Sequence, residues 1–272
     1  MQHGVRTAFI LGAGLGTRLL PWTQSWPKPL LQIGGRPLIT HAFTHVQALG
    51  IERLIVNTHH CSGRYGQLFP DGQWNGLPIT FRHEPDLLET GGGIRNIQDL
   101  LDAGDDWRLL IYNGDVICTL PLEPLLNHHA ASGNEVTLAL RTTDEPRHIA
   151  WCPQTGRVIN IRGMLPSSSP ASPETEATVN CLFTGIYVIE RRFLERFTPG
   201  EKVSVIPAFL DMIREAQANP AASGLGGLLL NEGEWCDVGT RPVFASIDAR
   251  LRAAASLPPA DLEAHPPYPL AG

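Results

Sequence analysis

The sequence predicts an α/β fold built on a mixed, mainly parallel, doubly wound sheet, and three observations carry that expectation. An apolar run, Val5–Leu11, leads straight into alternating glycines at Gly12, Gly14 and Gly16, the pattern of a buried strand that breaks into a tight turn. Further apolar runs at Arg53–Asn57, Ile79–Arg82 and Arg108–Tyr112 alternate with helical periodicity at Pro37–Gly50 and Gly92–Leu101, and strands that alternate with helices pair in parallel. The chain of 272 residues is long enough to bury a sizeable core, and no stretch approaches the ~18 apolar residues of a membrane span.

The elements follow in order. The N-terminus lacks the charged start and small-residue cleavage site of a signal peptide, so Val5–Leu11 is read as the first strand. In Pro37–Gly50, Leu38, Ala42, Val46 and Leu49 fall at helical intervals before a glycine stop. Thr58–Gly66 reads as a loop with a short helix, and Arg108–Tyr112 is a continuous apolar strand closing on Asn113-Gly114-Asp115. The second half is less regular. It offers a helix at Leu122–Ala131, a strand at Glu135–Arg141, and a small β-hairpin subregion of Ile149–Cys152 and Val158–Ile161 around Pro153–Gly156. A strand at Cys181–Ile189, a helix at Val205–Ala216, short strands at Leu228–Leu230 and Glu234–Val238, and a helix at Arg241–Ala255 complete it. Pro166–Pro173 reads as a mobile surface loop, and the proline-rich stretch from Leu257 as a tail on the surface or disordered. One domain over 1–256, with 257–272 as a tail, is the expected organisation.

A net charge of −6 argues against a general binder of nucleic acid or anionic membrane. The five cysteines are scattered, odd in number and without a C-x-x-C pair. That suits a reduced cytoplasmic setting and offers neither a disulfide framework nor a thiolate metal site. His59-His60 and His128-His129 lack the spacing of a helical metal pair and read as surface histidines.

The chemistry centres on Leu11–Pro29. Glycines without Cβ leave backbone N–H groups free to face an anion. Arg18 and Lys28, the latter clamped between Pro27 and Pro29, place fixed positive charge beside that turn. A dinucleotide fingerprint fails because Thr17 stands where its third glycine belongs, and a Walker loop fails because the chain has no Gly-Lys pair. A nucleoside triphosphate site remains. Ligands of an open parallel sheet bind beyond the C-terminal strand ends, where Gly12, the Glu84 loop and Asp115 would share one rim. The residues alone leave the acids a second use: Asp115 as a cap of a following helix, Asp237 as an N-cap of the Arg241 helix.

Gly12–Arg18 (GAGLGTR) with Pro27–Ile39 (PKPLLQIGGRPLI), followed by LETGGGI (Leu88–Ile94), NGDV (Asn113–Val116), FTGIYV (Phe183–Val188) and WCDVGT (Trp235–Thr240), resembles the signature of sugar-1-phosphate nucleotidylyltransferases. Within them the likeness is to N-acetylmuramate-1-phosphate uridylyltransferases, which share the ETGGG, NGDV and W-x-DVGT forms. The resemblance implies a single Rossmann-like domain of the nucleotide-diphospho-sugar transferase type. It also implies transfer of a nucleoside monophosphate, UMP, to N-acetylmuramate 1-phosphate with release of pyrophosphate. The same chemistry with GTP and a mannose- or heptose-type sugar phosphate is the alternative, and a non-catalytic nucleotide or sugar sensor is a different class. It implies Mg²⁺ on Asp115 and Asp237, catalytic roles for Arg18, Lys28 and Asp115, and a nucleotide held by Leu11, Ala13, Gly14, Gly16, Thr17, Glu89, Thr90, Gly91 and Gly92. Asn113, Asn180 and Gly185 fall to the sugar side. The implied partners are a nucleoside triphosphate and a sugar 1-phosphate, without nucleic acid or membrane, in a monomer or small homo-oligomer.

Overall fold

A computed structural model describes residues 3–101, 107–166, 178–219 and 221–260. The part of the proline-containing loop from 167 onwards, and the tail from 261, lie outside the described residues.

Four strands form the parallel half of the sheet. These are β1 (Val5–Leu11), β4 (Arg53–Thr58), β6 (Leu77–His83) and β7 (Arg108–Asn113), in the order β7-β1-β4-β6. Between β1 and β4 come a short hairpin of β2 (Gln32–Ile33) and β3 (Arg36–Pro37) and the helix α1 (Ile39–Gln47). Helix α2 (Gly63–Leu68) and edge strand β5 (Gln73–Trp74) precede β6, and α3 (Glu89–Arg95) follows it.

Beyond β7 the mixed sheet departs from the expected mainly parallel character, because antiparallel pairings predominate there. β8 (Val116–Cys118) and α4 (Glu123–Ser132) lead to β9 (Val136–Arg141), β10 (Ile149–Cys152), β11 (Arg157–Ile161) and the long β12 (Val179–Glu190). Helix α5 (Val205–Ala218), β13 (Leu225–Leu229), β14 (Trp235–Asp237) and α6 (Arg241–Ala254) complete the regular structure of the described residues. β12 runs antiparallel to β7, β9 and β10. β10 pairs with β11, β11 with β13, and β13 with β9, so these strands close into a small barrel at the end of the sheet. The expected hairpin is therefore one wall of a barrel. β12 pairs with β9 along one edge and changes partner along the other, from β10 to β7, and its register with β9 shifts between Phe183 and Tyr187, a bulge that bends the strand.

Both faces of the parallel half are covered. Ala8, Ile10, Leu54, Val56, Leu110 and Tyr112 point into one core with Phe43 and Val46 of α1 and Phe244 of α6. Their neighbours Phe9, Ile55, Leu109 and Ile111 point into the other with Ile94 of α3 and Phe209 of α5. This alternation follows from the two-residue period of a strand and explains why these runs are continuously apolar. Among the described residues no helix is long and apolar enough to cross a membrane. His129 corrects the surface reading of its pair. It is 1% exposed and its Nδ1 lies 2.8 Å from Thr137 Oγ1.

His41 in α1 gives the fold a defined acid limb. Arg36 Nη2 lies 3.0 Å from His41 Nδ1 and can only donate, so Nε2 carries the hydrogen donated to Ile33 O at 3.1 Å. Burial first, and the Arg36 charge as well, push the His41 pKa down to about 4. Below pH ~6.5 the unfolded chain takes up a proton that the folded one refuses, so this contribution is full above 6.5 and lost as pH falls toward 4. Melting temperature is expected to drop across that window. His41→Gln should flatten the drop, which a series of thermal melts from pH 7.5 to 4 will show.

Candidate active site

The parallel strands put the C-terminal ends of β1, β4, β6 and β7 on one rim, and a cleft of about 360 Å³ opens there. Leu11, Ala13, Gly14, Lys28, Glu89, Thr90, Asn113 and Asp115 line it, all of them expected from the sequence. In the glycine turn Gly14 is exposed and stands in open space. Among the described residues, the N–H groups of Gly14, Leu15 and Gly16 donate to no protein acceptor. Such a run of free donors is the backbone chemistry that anions take.

Lys28 sits on a 3-10 turn between its prolines and is 7% exposed. Gly16, at φ +63, makes room for it: a Cβ there would lie 2.9 Å from Lys28 Cβ and 2.9 Å from Thr23 Cγ2. The ammonium group donates to Asp115 Oδ2 at 2.6 Å and lies 3.9 Å from Asp237 Oδ1. Asp115 is followed by β8 rather than by a helix, so the capping use does not apply. β8 pairs with β14, setting Asp237 opposite Val116, and Val238 N–H donates to Asp115 O at 3.0 Å. This two-stranded ladder is what joins acids that are distant in sequence. Burial, then the Asp115 charge, raises the Asp237 pKa, against the opposing pull of Lys28 and Arg18. Asp237 makes no cap to α6, whose N-cap residue is Thr240.

Thr17 and Arg18 lie on an exposed 3-10 turn beside the cleft. The Arg18 guanidinium lies across Gly239, where a Cβ would sit 2.9 Å from Nη1. It therefore reaches the loop that carries Asp237. Asn113 faces Gly185 across the β7–β12 pair, and Gly185, at φ +77, admits the amide because a Cβ would stand 2.3 Å from Asn113 Nδ2. Asn180 lies further out on β12, opposite Ala150, and does not line the cleft.

Gly91 and Gly92 also stay out of the cleft. Helix α3 begins at Glu89, before the glycines, and both Gly91 and Gly92 donate their N–H groups to Val203 O at 2.8 and 3.0 Å. A Cβ on Gly92 would lie 2.2 Å from Glu201 O, so the glycines admit the 197–203 segment rather than a ligand. Glu89 opens α3 at φ +60, a conformation that costs a non-glycine residue ~1 kcal/mol or more and collects at functional sites. Thr90 Oγ1 accepts from Val205 N at 3.0 Å, joining α3 to the start of α5.

Asn57, Pro29, Leu87 and Ser204 complete the lining, and sequence reasoning missed all four. Asn57 ends the apolar run of β4 as an uncharged amide that no motif marks. Ser204 accepts from Ile206 N at 3.3 Å as the N-cap of α5, a start signal available just before the expected helix.

A family model described as nucleotidyl transferase matches residues 7–253. The chain belongs to the nucleotidyl transferase family. A mannose-1-phosphate guanylyltransferase of Mycobacterium tuberculosis is 31% identical over 248 residues, which is 90% of this chain and 64% of the relative. The chain thus spans less than two thirds of that relative's length. The same fold appears in a Bacillus anthracis structure assigned as a glucose-1-phosphate thymidylyltransferase, with TM-score 0.68 and 21% identity over 90% of this chain and 95% of that one. HddC from Yersinia pseudotuberculosis, solved with GMP-PN, has TM-score 0.67 and 18% identity over 90% of this chain and 99% of its own. The family reading of the sequence stands. The Mycobacterium tuberculosis relative carries the name of the guanylyltransferase alternative rather than of the uridylyltransferase subgroup.

Proposed function

We propose that the protein is a sugar-1-phosphate nucleotidylyltransferase that takes GTP and a mannose-type sugar 1-phosphate, the alternative weighed in the sequence. The observation that carries this reading is the convergence of Lys28, Asp115 and Asp237 beside a cleft that Gly14 lines with a free backbone donor. The guanylyl preference of the Mycobacterium tuberculosis relative supports the choice of base over UTP and N-acetylmuramate 1-phosphate.

In this reaction an oxygen of the sugar phosphate bonds to the α-phosphorus of the triphosphate as the bond to pyrophosphate breaks. The attacking monoester is already anionic, so alignment and charge neutralisation carry catalysis, without a strong base. The glycine turn would seat the phosphates, and Arg18 would grip the outer ones. Lys28 would turn from Asp115 toward the α-phosphate and the incoming monoester. Asp115 and Asp237 offer the hard oxygen donors that suit Mg²⁺. Among the described residues no third His, Cys, Asp or Glu joins them, which fits an ion that completes its shell with water and phosphate. When bound, Mg²⁺ would neutralise phosphate charge.

Pyrophosphate release with Mg²⁺, measured for GTP, UTP, CTP, dTTP and ATP against a panel of sugar 1-phosphates, tests the proposal. Release with GTP and mannose 1-phosphate is expected. Turnover confined to UTP and N-acetylmuramate 1-phosphate would reverse the specificity. Nucleotide binding without turnover on any pair would make the protein a sensor.

A further inference from the structure

Beneath the cleft lies a buried polar chain whose role the mechanism leaves unused. Gly12 N–H donates to Asn57 Oδ1 at 2.8 Å, Asn57 Nδ2 donates to Glu84 Oε1 at 2.8 Å, and Leu88 N–H donates to Glu84 Oε2 at 3.0 Å. Asn57 is 3% exposed and Glu84 0%. A carboxylate removed from water in this way needs its bonds made. The direction of every bond is fixed, since both backbone groups can only donate and a carboxylate can only accept.

The chain runs between the two segments that face the nucleotide in the proposed reading. One end is the first glycine of the turn and the other is the residue before Glu89 and Thr90. Two glycines exist to admit it. A Cβ on Gly12 would stand 2.7 Å from Asn57 O, and a Cβ on Gly93 would stand 3.0 Å from both Asn57 Nδ2 and Glu84 Oε1. Tyr65 holds Gly12 from its other side, its hydroxyl donating to Gly12 O at 3.1 Å. His59 Nδ1 lies 2.8 Å from Glu84 O, so the Glu84 backbone is tied to the end of β4 as well.

We propose that Asn57 and Glu84 are a positioning pair that holds the glycine turn and the first turn of α3 at a set spacing, so that they meet a nucleoside triphosphate as one rigid wall. The inference rests on the nucleotide reading of the cleft. Polarity is its signature. Glu84→Gln points an NH₂ group at either Asn57 Nδ2 or the Leu88 N–H and breaks the chain. Asn57→Asp alone sets two carboxylates against each other. Combining them restores every bond with the charge moved by one link. The carboxylate now at position 57 accepts from Gly12 and from the amide now at position 84, whose oxygen accepts from Leu88.

The test reads amide hydrogen exchange in the ligand-free protein, over peptides containing Gly12 and Leu88, together with KM for each substrate. Glu84→Gln is expected to speed exchange at both ends by about tenfold or more, the equivalent of one lost net hydrogen bond. It should raise KM for the triphosphate by about tenfold while leaving KM for the sugar phosphate within about twofold. Adding Asn57→Asp should bring both readouts back toward the natural protein. If Glu84→Gln alone does not fold, recovery of folding by the second substitution reads the same polarity. Exchange that changes only around Leu88, or a double variant no better than the single one, overturns the pairing. Coupled exchange in a protein that binds no nucleoside triphosphate keeps the mechanical link and overturns the nucleotide reading.

Discussion

Lys28→Ala is expected to lower kcat by about a thousandfold, the scale of losing one preorganised charge at a transition state, while the fold survives. Lys28 brings a fixed cation to a place where at least two carboxylates and several phosphates must meet. Its ammonium is 2.6 Å from Asp115 and 3.9 Å from Asp237, and its own side chain is only 9% exposed. That combination makes the charge strong in its effect and precise in its location. The stability cost is small by comparison, because Asp115 and Asp237 remain 32% and 44% exposed and water can screen them once the lysine is gone. An ion pair of this exposure contributes about 1 kcal/mol or less. Lys28→Arg should rescue poorly. Gly16 packs against Lys28 Cβ and the side chain is buried, and a planar guanidinium does not reproduce a compact ammonium there. Steady-state kinetics beside thermal melts will decide. A kcat within tenfold of the natural protein, or a collapse of the melt, would remove Lys28 from the catalytic set.

The parallel half of the fold was legible because its signals are local. Each strand is a continuous apolar run, the helix at α1 has its own period, and the glycine turn follows a strand end directly. What escaped prediction depends on partners far along the chain. β8 is three residues long and exists because β14, more than a hundred residues later, pairs with it. Local pattern therefore suggested a helix after Asp115. Helix α3 shows a similar override. Glycine costs ~1 kcal/mol in a helix interior, so propensity starts the helix late, yet the close approach of Glu201 and Val203 selects Gly91 and Gly92 inside it, and that of Asn57 and Glu84 selects Gly93. The barrel was hidden because β12 serves β9 along one edge and first β10, then β7, along the other, and periodicity does not count neighbours. The site divides in the same way. Residues with a distinctive charge or motif were found, whereas Asn57 is an uncharged amide at a strand end, and the bonds by which it ties two walls together form only in the fold.

Asp115→Asn and Asp237→Asn are expected to agree in activity and differ in stability. Both should reduce pyrophosphate release by about a hundredfold or more and raise the Mg²⁺ concentration needed for half-maximal rate, because an amide is a neutral and weaker ligand for a hard cation. Their ligand-free surroundings are unlike. Asp115 accepts the Lys28 bond at 2.6 Å, so Asp115→Asn weakens the one charge-assisted contact that anchors the lysine and should lower the melting temperature. Asp237 stands 3.9 Å from that ammonium, and burial and the Asp115 charge both disfavour its ionised form. Asp237→Asn removes a carboxylate that the folded state holds against repulsion, so stability should stay level or rise, by less than about 1 kcal/mol given its exposure. A site that assembles like charges for a cation and a polyanion accepts such strain in its empty form. Melts without Mg²⁺ or nucleotide, set beside Mg²⁺ titrations of the rate, separate the two effects. Equal destabilisation by both substitutions would mean that Asp237 serves the fold through contacts of its own. Retention of full activity by either would exclude that residue from the metal-binding pair.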